Sequence, residues 1–361
     1  MTNRRTFIKK SGLLLAASSM PITNFLIPNQ KKKLGIALVG LGYYSKDLLA
    51  PALQLTKNCE LKGIVTGSPG KIPVWKSKYG LEDKNIYNYE NMHKIANNDD
   101  IDVVYIVLPN ALHMKYSVIA AEAGKHVWCE KPMAPTVKEC QTIINACRKN
   151  KVQLTVGYRM QHEPVTQKII SWAASKPFGE LKDLSAEAGF RNGGGDGTHW
   201  KLHKELGGGA MYDMGVYPLN AVRYATQMEP LAVTARTEIS RPEIFTADET
   251  TFFNLEFPGG VHAKCKTSFA ENLNELTVNC DKGWYSLSPF QSYTGVKGKT
   301  SNGQILQPFQ GNQQAVQMDE DAKAIMNNKN PLVPGEEGLS DIRIVEAIFK
   351  SASSDGQRIE L

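Results

Sequence analysis

The chain has 361 residues, 42% hydrophobic and 22% charged, an ordinary globular composition whose length suggests two domains with a sizeable core in each. Its formal net charge is +6, but residues 1–33 hold seven basic side chains and no acidic one, which leaves −1 for residues 34–361. The basic balance belongs to the N-terminus, so neither nucleic acid nor an anionic membrane is expected as a partner.

The N-terminal MTNRRTFIKKSGLLLAASSM sets Arg4–Arg5, Phe7 and Lys9–Lys10 before a weakly apolar run. That run is too short to cross a bilayer. The pattern reads as a twin-arginine export signal over residues 1–30, which sends a folded protein to the periplasm and leaves no stable membrane span after processing. The bland alternative is a basic, disordered N-terminus. No clean A-x-A follows, so the cleavage point is open and the segment could stay on as an anchor.

From residue 31 the pattern becomes βα units. LGIALVGLG (34–42) is an apolar run ending in glycines, SKDLLAPALQLT has helical spacing, and CELKGIVTG (59–67) reads as a second strand. IDVVYIVLPN (101–110) is a β-branched run, ALHMKYSVIAAEAGK a helix, HVWCEKP a strand, VKECQTIINACRKN a helix and VQLTVGYR (152–159) a strand. This alternation predicts a parallel, doubly wound sheet over residues 31–157.

After about residue 160 the texture changes. The glycine-rich FRNGGGDGTHW precedes a helix predicted from Ala210, and five short strands follow without intervening helices: AVTARTEI, TTFFNLEFP, VHAKCKTSF, ELTVNC and GWYSLS. Two helices, AVQMDEDAKAIMNNKN and EEGLSDIRIVEAIFKSASS, close the chain. The fold class is therefore α/β plus α+β: an N-terminal Rossmann domain, then a C-terminal domain (158–361) with an open, mostly antiparallel mixed sheet. An open sheet face would otherwise be exposed, so a homodimer or homotetramer is expected. Cys59, Cys129, Cys140, Cys147, Cys265 and Cys280 form no CxxC pair or histidine cluster, so buried thiols and no metal are expected, with disulfides left open.

Gly40-Leu41-Gly42-Tyr43-Tyr44-Ser45 lies at the first strand-to-helix turn as G-x-G-x-x-S, where backbone amides and a helix N-terminus can hold a pyrophosphate. An ordinary tight turn is the plain alternative. The second strand ends Thr66-Gly67-Ser68-Pro69-Gly70-Lys71, with no acid for ribose hydroxyls but with hydroxyls, glycines and a lysine suited to a 2′-phosphate. This points to NADP, with NAD left open by a solvated loop that tolerates either. Leu108-Pro109-Asn110 ends another strand at the same edge, so Asn110 and His113 are candidates for the nicotinamide side, against a simple turn with a helix cap. Glu130-Lys131-Pro132 leaves a further strand there. A cation at Lys131 would stabilise a substrate alkoxide, while a salt bridge with Glu130 is the bland reading.

Gly-x-Gly, Pro-Asn-x-x-His, Glu-Lys-Pro and Gly-Tyr-Arg (157–159), in this order, resemble the glucose–fructose oxidoreductase / inositol dehydrogenase (Gfo/Idh/MocA-type) family from residue 34 to the C-terminus. The oxidoreductase branch is the most similar, through YDMGVYPLNAVRY, PGEEGLSDIRIVEAIF and the leader. The resemblance implies an NADP-dependent enzyme moving hydride between a sugar or polyol carbinol and nicotinamide. It makes Lys131, Asp213 and Tyr217 catalytic, the last two sharing one side of a predicted helix, with Asp213 holding a sugar hydroxyl or orienting the other two. A tyrosine near Lys131 would act as acid/base, its phenol acidified by the cation. Arg159 would bind substrate or help position Lys131, and His162, Trp200 and Tyr212 are further substrate-side candidates. That branch carries a long N-terminal arm over its cofactor, whereas only ITNFLIPNQKKK separates leader from strand here, and Met160-Gln161-His162-Glu163-Pro164 also departs from it. Two alternatives remain: an NAD(P)-dependent glycosidase of the same fold working by transient sugar oxidation, and a non-catalytic dinucleotide-binding regulator.

Overall fold

The computed structural model describes residues 33–195 and 197–361; the expected export signal and nearly all of the stretch linking it to the first strand lie outside the described residues. Residues 33–361 form one compact unit. Strand β1 (Leu34–Val39) is buried at all six positions, as a strand covered on both faces must be. It joins β2 (Cys59–Val65), β3 (Ile86–Tyr87), β4 (Val103–Ile106), β5 (His126–Cys129) and β6 (Leu154–Val156) in a parallel sheet ordered β3-β2-β1-β4-β5-β6. The order reverses between β1 and β4, and ligands of such sheets bind beyond the carboxyl ends there.

The crossover helices are α1 (Ala50–Leu53), α2 (Ile72–Tyr79), α3 (His113–Glu122) and α4 (Val137–Lys149). The first is shorter than its spacing predicts, because a wide π-helical turn, Tyr44–Leu49, precedes it. Pro51 has no N–H to offer the carbonyl four residues back, so the α ladder cannot run through this point. The expected strands at 101–110 and at HVWCEKP also stop early, at Ile106 and Cys129, where the sheet ends and loops begin. The Lys131–Pro132 peptide is cis. Helix α4 opens with a reciprocal cap, in which Thr136 Oγ1 accepts from the Glu139 amide at 3.2 Å and Glu139 Oε2 from the Thr136 amide at 3.1 Å.

The second half contains α5 (Pro164–Ser175), β7 (Leu181–Gly189), α6 (Val216–Thr226), β8 (Ala232–Glu238), β9 (Thr250–Glu256), β10 (His262–Ser268), β11 (Leu273–Cys280), β12 (Gly283–Leu287), β13 (Gly298–Thr300), β14 (Ile305–Leu306), α7 (Gln313–Met326), α8 (Gly335–Ala352) and β15 (Ile359–Glu360). The nine-stranded sheet runs β14-β13-β12-β11-β7-β10-β9-β8-β15, antiparallel except where β7 meets β10. Central β7 and helix α5 were not anticipated from the sequence. Along β7, Leu184, Ala186 and Ala188 face the core while Lys182, Asp183 and Ser185 face out. The outer face is charged rather than apolar: Phe252 is flanked there by Arg236 at 3.7 Å and Lys266 at 5.2 Å from its ring centre.

Helix α6 is buried along its whole length, and a π-helical turn, Met211–Gly215, leads into it. Helix α7 returns to the first sheet, where Ala315, Met318 and Ala322 share a core with Leu49, Leu53 and Trp128. Asp319 fastens it there by accepting from the amides of Lys57 and Asn58, each at 2.8 Å. All six cysteines carry free thiols, five of them buried.

Candidate active site

A cavity of about 470 Å³ opens at the carboxyl ends of β1, β2, β4 and β5 and reaches the segment that leads into α6. Its floor is the glycine turn. Gly40 has φ +90°, and a Cβ there would lie 2.3 Å from the Val107 carbonyl, so only glycine fits. A Cβ on Gly42 would meet no protein atom within 4 Å, so the backbone there is bare toward the cavity. Ser45 stands where a third glycine is usual. Its buried hydroxyl donates to the Gly40 carbonyl at 2.5 Å, so the substitution ties the turn together.

Thr66, Ser68 and Lys71 line the cavity where β2 ends, with Tyr43 and Tyr44 beside the glycine turn. Lys71 Nζ donates to the Leu41 carbonyl at 2.8 Å, bridging the two loops. Leu108, Pro109 and Asn110 line the same space, and Asn110 Nδ2 donates to the Gly207 carbonyl at 2.7 Å. Gly67 is not among the lining residues; a Cβ there would press on the Tyr89 ring at 2.9 Å, and Tyr89 lines the cavity in its place.

At the far end stand Glu130, Lys131, Asp213 and Tyr217, and Trp200 lines the cavity as well. Lys131 Nζ donates to the Asp213 backbone carbonyl at 2.6 Å, lies 3.5 Å from Asp213 Oδ1 and sits 4.7 Å from the centre of the Tyr217 ring. Burial alone would lower its pKa, but Tyr217, Asp213 and Glu130 outweigh that and raise it, so the side chain is an ammonium. Burial would raise the Asp213 carboxyl, yet Lys201 and Lys131 together hold it below the ordinary value. Glu130 is buried, accepts from the Tyr105 hydroxyl at 2.5 Å and is pushed up to about 7 by burial. Gly157 makes room for it, since a Cβ there would lie 2.6 Å from Glu130 Oε1.

Besides Gly67, four expected site residues lie outside the cavity. Arg159 is buried behind Tyr217: it donates to the Gln291 and Ser292 carbonyls and to Gln313, and its guanidinium sits 5.5 Å from the Tyr217 ring centre and 4.6 Å from that of Tyr293. Lys131, Tyr217, Arg159 and Tyr293 thus alternate cation and ring, and Tyr44 extends the column by meeting Tyr293 at 6.0 Å. His113 is fully buried, its Nδ1 2.9 Å from the Pro132 carbonyl and its Nε2 2.8 Å from that of Leu108; it pins two loops together instead of facing nicotinamide. Burial lowers its pKa. His162 pairs with Glu320 at 2.6 Å on α7, and the Tyr212 hydroxyl donates to the Pro135 carbonyl at 2.6 Å while its ring packs on Phe349. These are packing partners, drawn away by elements far along the chain. Conversely, the sequence reading passed over Lys201, Tyr89, Tyr293 and His199, all of which line the cavity. Only His199 and Lys201, on either side of Trp200, had a local hint.

Residues 34–158 match the family described as "Oxidoreductase family, NAD-binding Rossmann fold", and residues 166–286 match its C-terminal domain. The chain belongs to the GFO/IDH/MocA oxidoreductase family. Among solved structures of this family, the aldose-aldose oxidoreductase of Caulobacter crescentus is 35% identical, with a TM-score of 0.87 over 91% of this chain and 100% of that one. An NADP(+) D-xylose 1-dehydrogenase of Haloarcula marismortui is 28% identical over 88% of this chain and 91% of its own length. A D-glucoside 3-dehydrogenase of Escherichia coli K12 is 24% identical over 91% and 97% respectively. The two matches cover β1 to β6, nearly all of β7 to β12, and every cavity-lining residue but Tyr293.

Proposed function

We propose that the protein is an NADP-dependent oxidoreductase acting on a carbinol group of a sugar or polyol. The observation that carries this reading is the placement of Lys131, Asp213 and Tyr217 at one end of a cavity whose other end is a bare glycine turn. The donor set suits a dinucleotide: exposed backbone at Gly42, hydroxyls at Thr66 and Ser68, and Lys71 as a cation where an acid would repel a 2′-phosphate. When bound, NADP supplies the nicotinamide carbon that accepts or returns a hydride. NAD remains the alternative cofactor.

The chain's residues hold the substrate and handle its proton. The Lys131 ammonium faces the reacting oxygen and stabilises negative charge as it develops there. The hydroxyl of Tyr217, whose ring lies against that ammonium, takes the carbinol proton in oxidation and gives it back in reduction. Asp213 keeps Lys131 charged and in place, and Arg159 fixes the Tyr217 ring from behind. A non-catalytic regulator has no use for this trio, and nothing in the cavity favours a glycosidase. Tyr217→Phe tests the assignment: kcat should fall roughly 10²- to 10⁴-fold with NADPH affinity unchanged. Wild-type kcat in that variant would remove Tyr217 from the chemistry.

The Arg4–Arg5 leader supports export by the twin-arginine route to the periplasm. No helix among the described residues is long and apolar enough to cross a membrane. Replacing both arginines by lysine should abolish periplasmic activity in cell fractions; undiminished activity there would contradict export. A homodimer or homotetramer joined through the nine-stranded sheet is the assembly we propose, and sedimentation as a clean monomer at micromolar protein would refute it.

A further inference from the structure

Two lysines, not one, share the Asp213 carboxylate. Oδ1 faces Lys131 at 3.5 Å and Oδ2 faces Lys201 at 2.7 Å. Lys131 alone would compensate the buried charge, so the second ammonium is more than the ion pair requires. Nor is Lys201 a stray surface side chain. It lies in the turn Trp200–Leu202, and its ammonium rests 5.6 Å from the Phe190 ring centre and 6.0 Å from that of Trp200. Its backbone is tied to the segment bearing Asp213 through one residue: the Gly209 amide donates to the Lys201 carbonyl at 2.8 Å, and the Asp213 amide donates to the Gly209 carbonyl at 3.1 Å. The neighbouring Gly208 allows this approach, since a Cβ there would lie 2.6 Å from the Lys201 carbonyl. The glycine triplet 207–209 therefore locks Lys201 and Asp213 in a fixed relation, both lining the cavity.

We infer that Lys201 and Asp213 form a clamp for the hydroxyl next to the reacting carbinol, Lys201 donating to it and Asp213 accepting from it. This deepens the sugar reading and rests on it. Neighbouring hydroxyl oxygens of a sugar ring lie about one hydrogen-bond length apart, and the two ammoniums flank one carboxylate. A substrate oxygen at Lys131 and Tyr217 thus brings its neighbour to Lys201. The clamp makes a vicinal diol, rather than an isolated alcohol, the required substrate class, and makes Lys201 the residue that reads it.

The test pairs a deletion in the enzyme with a deletion in the sugar, using D-glucose and D-xylose, each with its 2-deoxy analogue. The C2 hydroxyl adjoins both C1 and C3, so its loss removes a neighbour for reaction at either of those carbons. For the faster sugar, wild-type kcat/KM should fall roughly 10- to 100-fold on loss of that hydroxyl, the cost of leaving a charged group unpaired. Lys201→Met should lose a similar factor on the parent sugar and discriminate the deoxy analogue by less than about threefold, while Lys201→Arg restores most of the discrimination. NADPH fluorescence titration, unchanged in both variants, establishes that they are folded. Full discrimination in Lys201→Met would overturn the clamp and leave the sugar reading intact. Lack of wild-type turnover on either sugar with NADP or NAD would overturn the sugar reading and the clamp with it.

Discussion

At the scale of single residues, the site is built from side chains whose neighbours set their charge. Lys131 is kept cationic against its burial, Asp213 is kept ionised by two lysines, and Glu130 is driven up to about 7. On the proposed function, cofactor choice turns on Lys71. It is the cation that lines the cavity at the end of β2, and its ammonium already reaches across to Leu41. Lys71→Glu should lower kcat/KM for NADP roughly 10- to 100-fold and leave that for NAD within about threefold, because only the 2′-phosphate loses a charged hydrogen bond. Initial rates with the two cofactors decide it; equal losses on both would assign Lys71 to the glycine turn alone. Much of this was legible locally, because Gly40, Gly42 and Lys131 announce themselves through short motifs at strand ends. Lys201 was not, because its partner Asp213 lies across a glycine-rich loop and no periodicity links them.

At the scale of elements, the sequence read well where a segment's own pattern decides its structure. Strands β1 and β4 are uninterrupted apolar runs and β8 to β10 alternate, so each was found. Strand β7 was missed because LKDLSAEAG is rich in small and charged residues of low strand propensity; pairing with β11 on one side and β10 on the other makes it a strand. His162 was misplaced for the same reason, since α7, some 158 residues on, captures it with Glu320. That helix turns Gln313, Gln317 and Asp321 inward, one polar residue every turn, all buried. Gln313 meets Arg159, and Gln317 Nε2 lies 3.4 Å from the Tyr105 hydroxyl that holds Glu130.

The stripe has a measurable consequence. Burial pushes the Asp321 carboxyl up to about 7, whereas in the unfolded chain it loses its proton near pH ~4. Between those limits the folded state binds more protons, so this group's contribution to stability falls as pH rises. Asp321→Asn should remove about 1 kcal/mol per pH unit of that fall, so the variant gains on the wild type from about pH 5 to about pH 7 in urea titrations. A constant difference between the two proteins across that window would show that Asp321 is already ionised when folded.

At the scale of the whole molecule, the two sheets serve one cavity from opposite ends. The parallel sheet brings β1, β2, β4 and β5 to a common edge, which sets the glycine turn, Lys71, Asn110 and Lys131 in one row. The nine-stranded sheet carries α6 and the π-helical turn before it on its inner face, and these present Tyr217 and Asp213 to that row. Helix α7 crosses back and packs the two halves into a single unit. The Rossmann half was legible because each crossover repeats a local pattern. The arrangement of the second sheet was not, since its one parallel pair, β7 with β10, joins strands about 80 residues apart, whose matching no local rule dictates.

On the proposed function, Lys131 performs chemistry at this junction rather than merely closing a strand. The most direct measurement is turnover of wild type and Lys131→Met with NADP and D-xylose or D-glucose, followed by the near-ultraviolet absorbance of reduced nicotinamide, alongside NADPH binding by fluorescence. The wild type should turn over, and the variant should lose roughly 10³-fold or more in kcat with NADPH affinity unchanged. A variant that binds NADPH normally and turns over at the wild-type rate would contradict it.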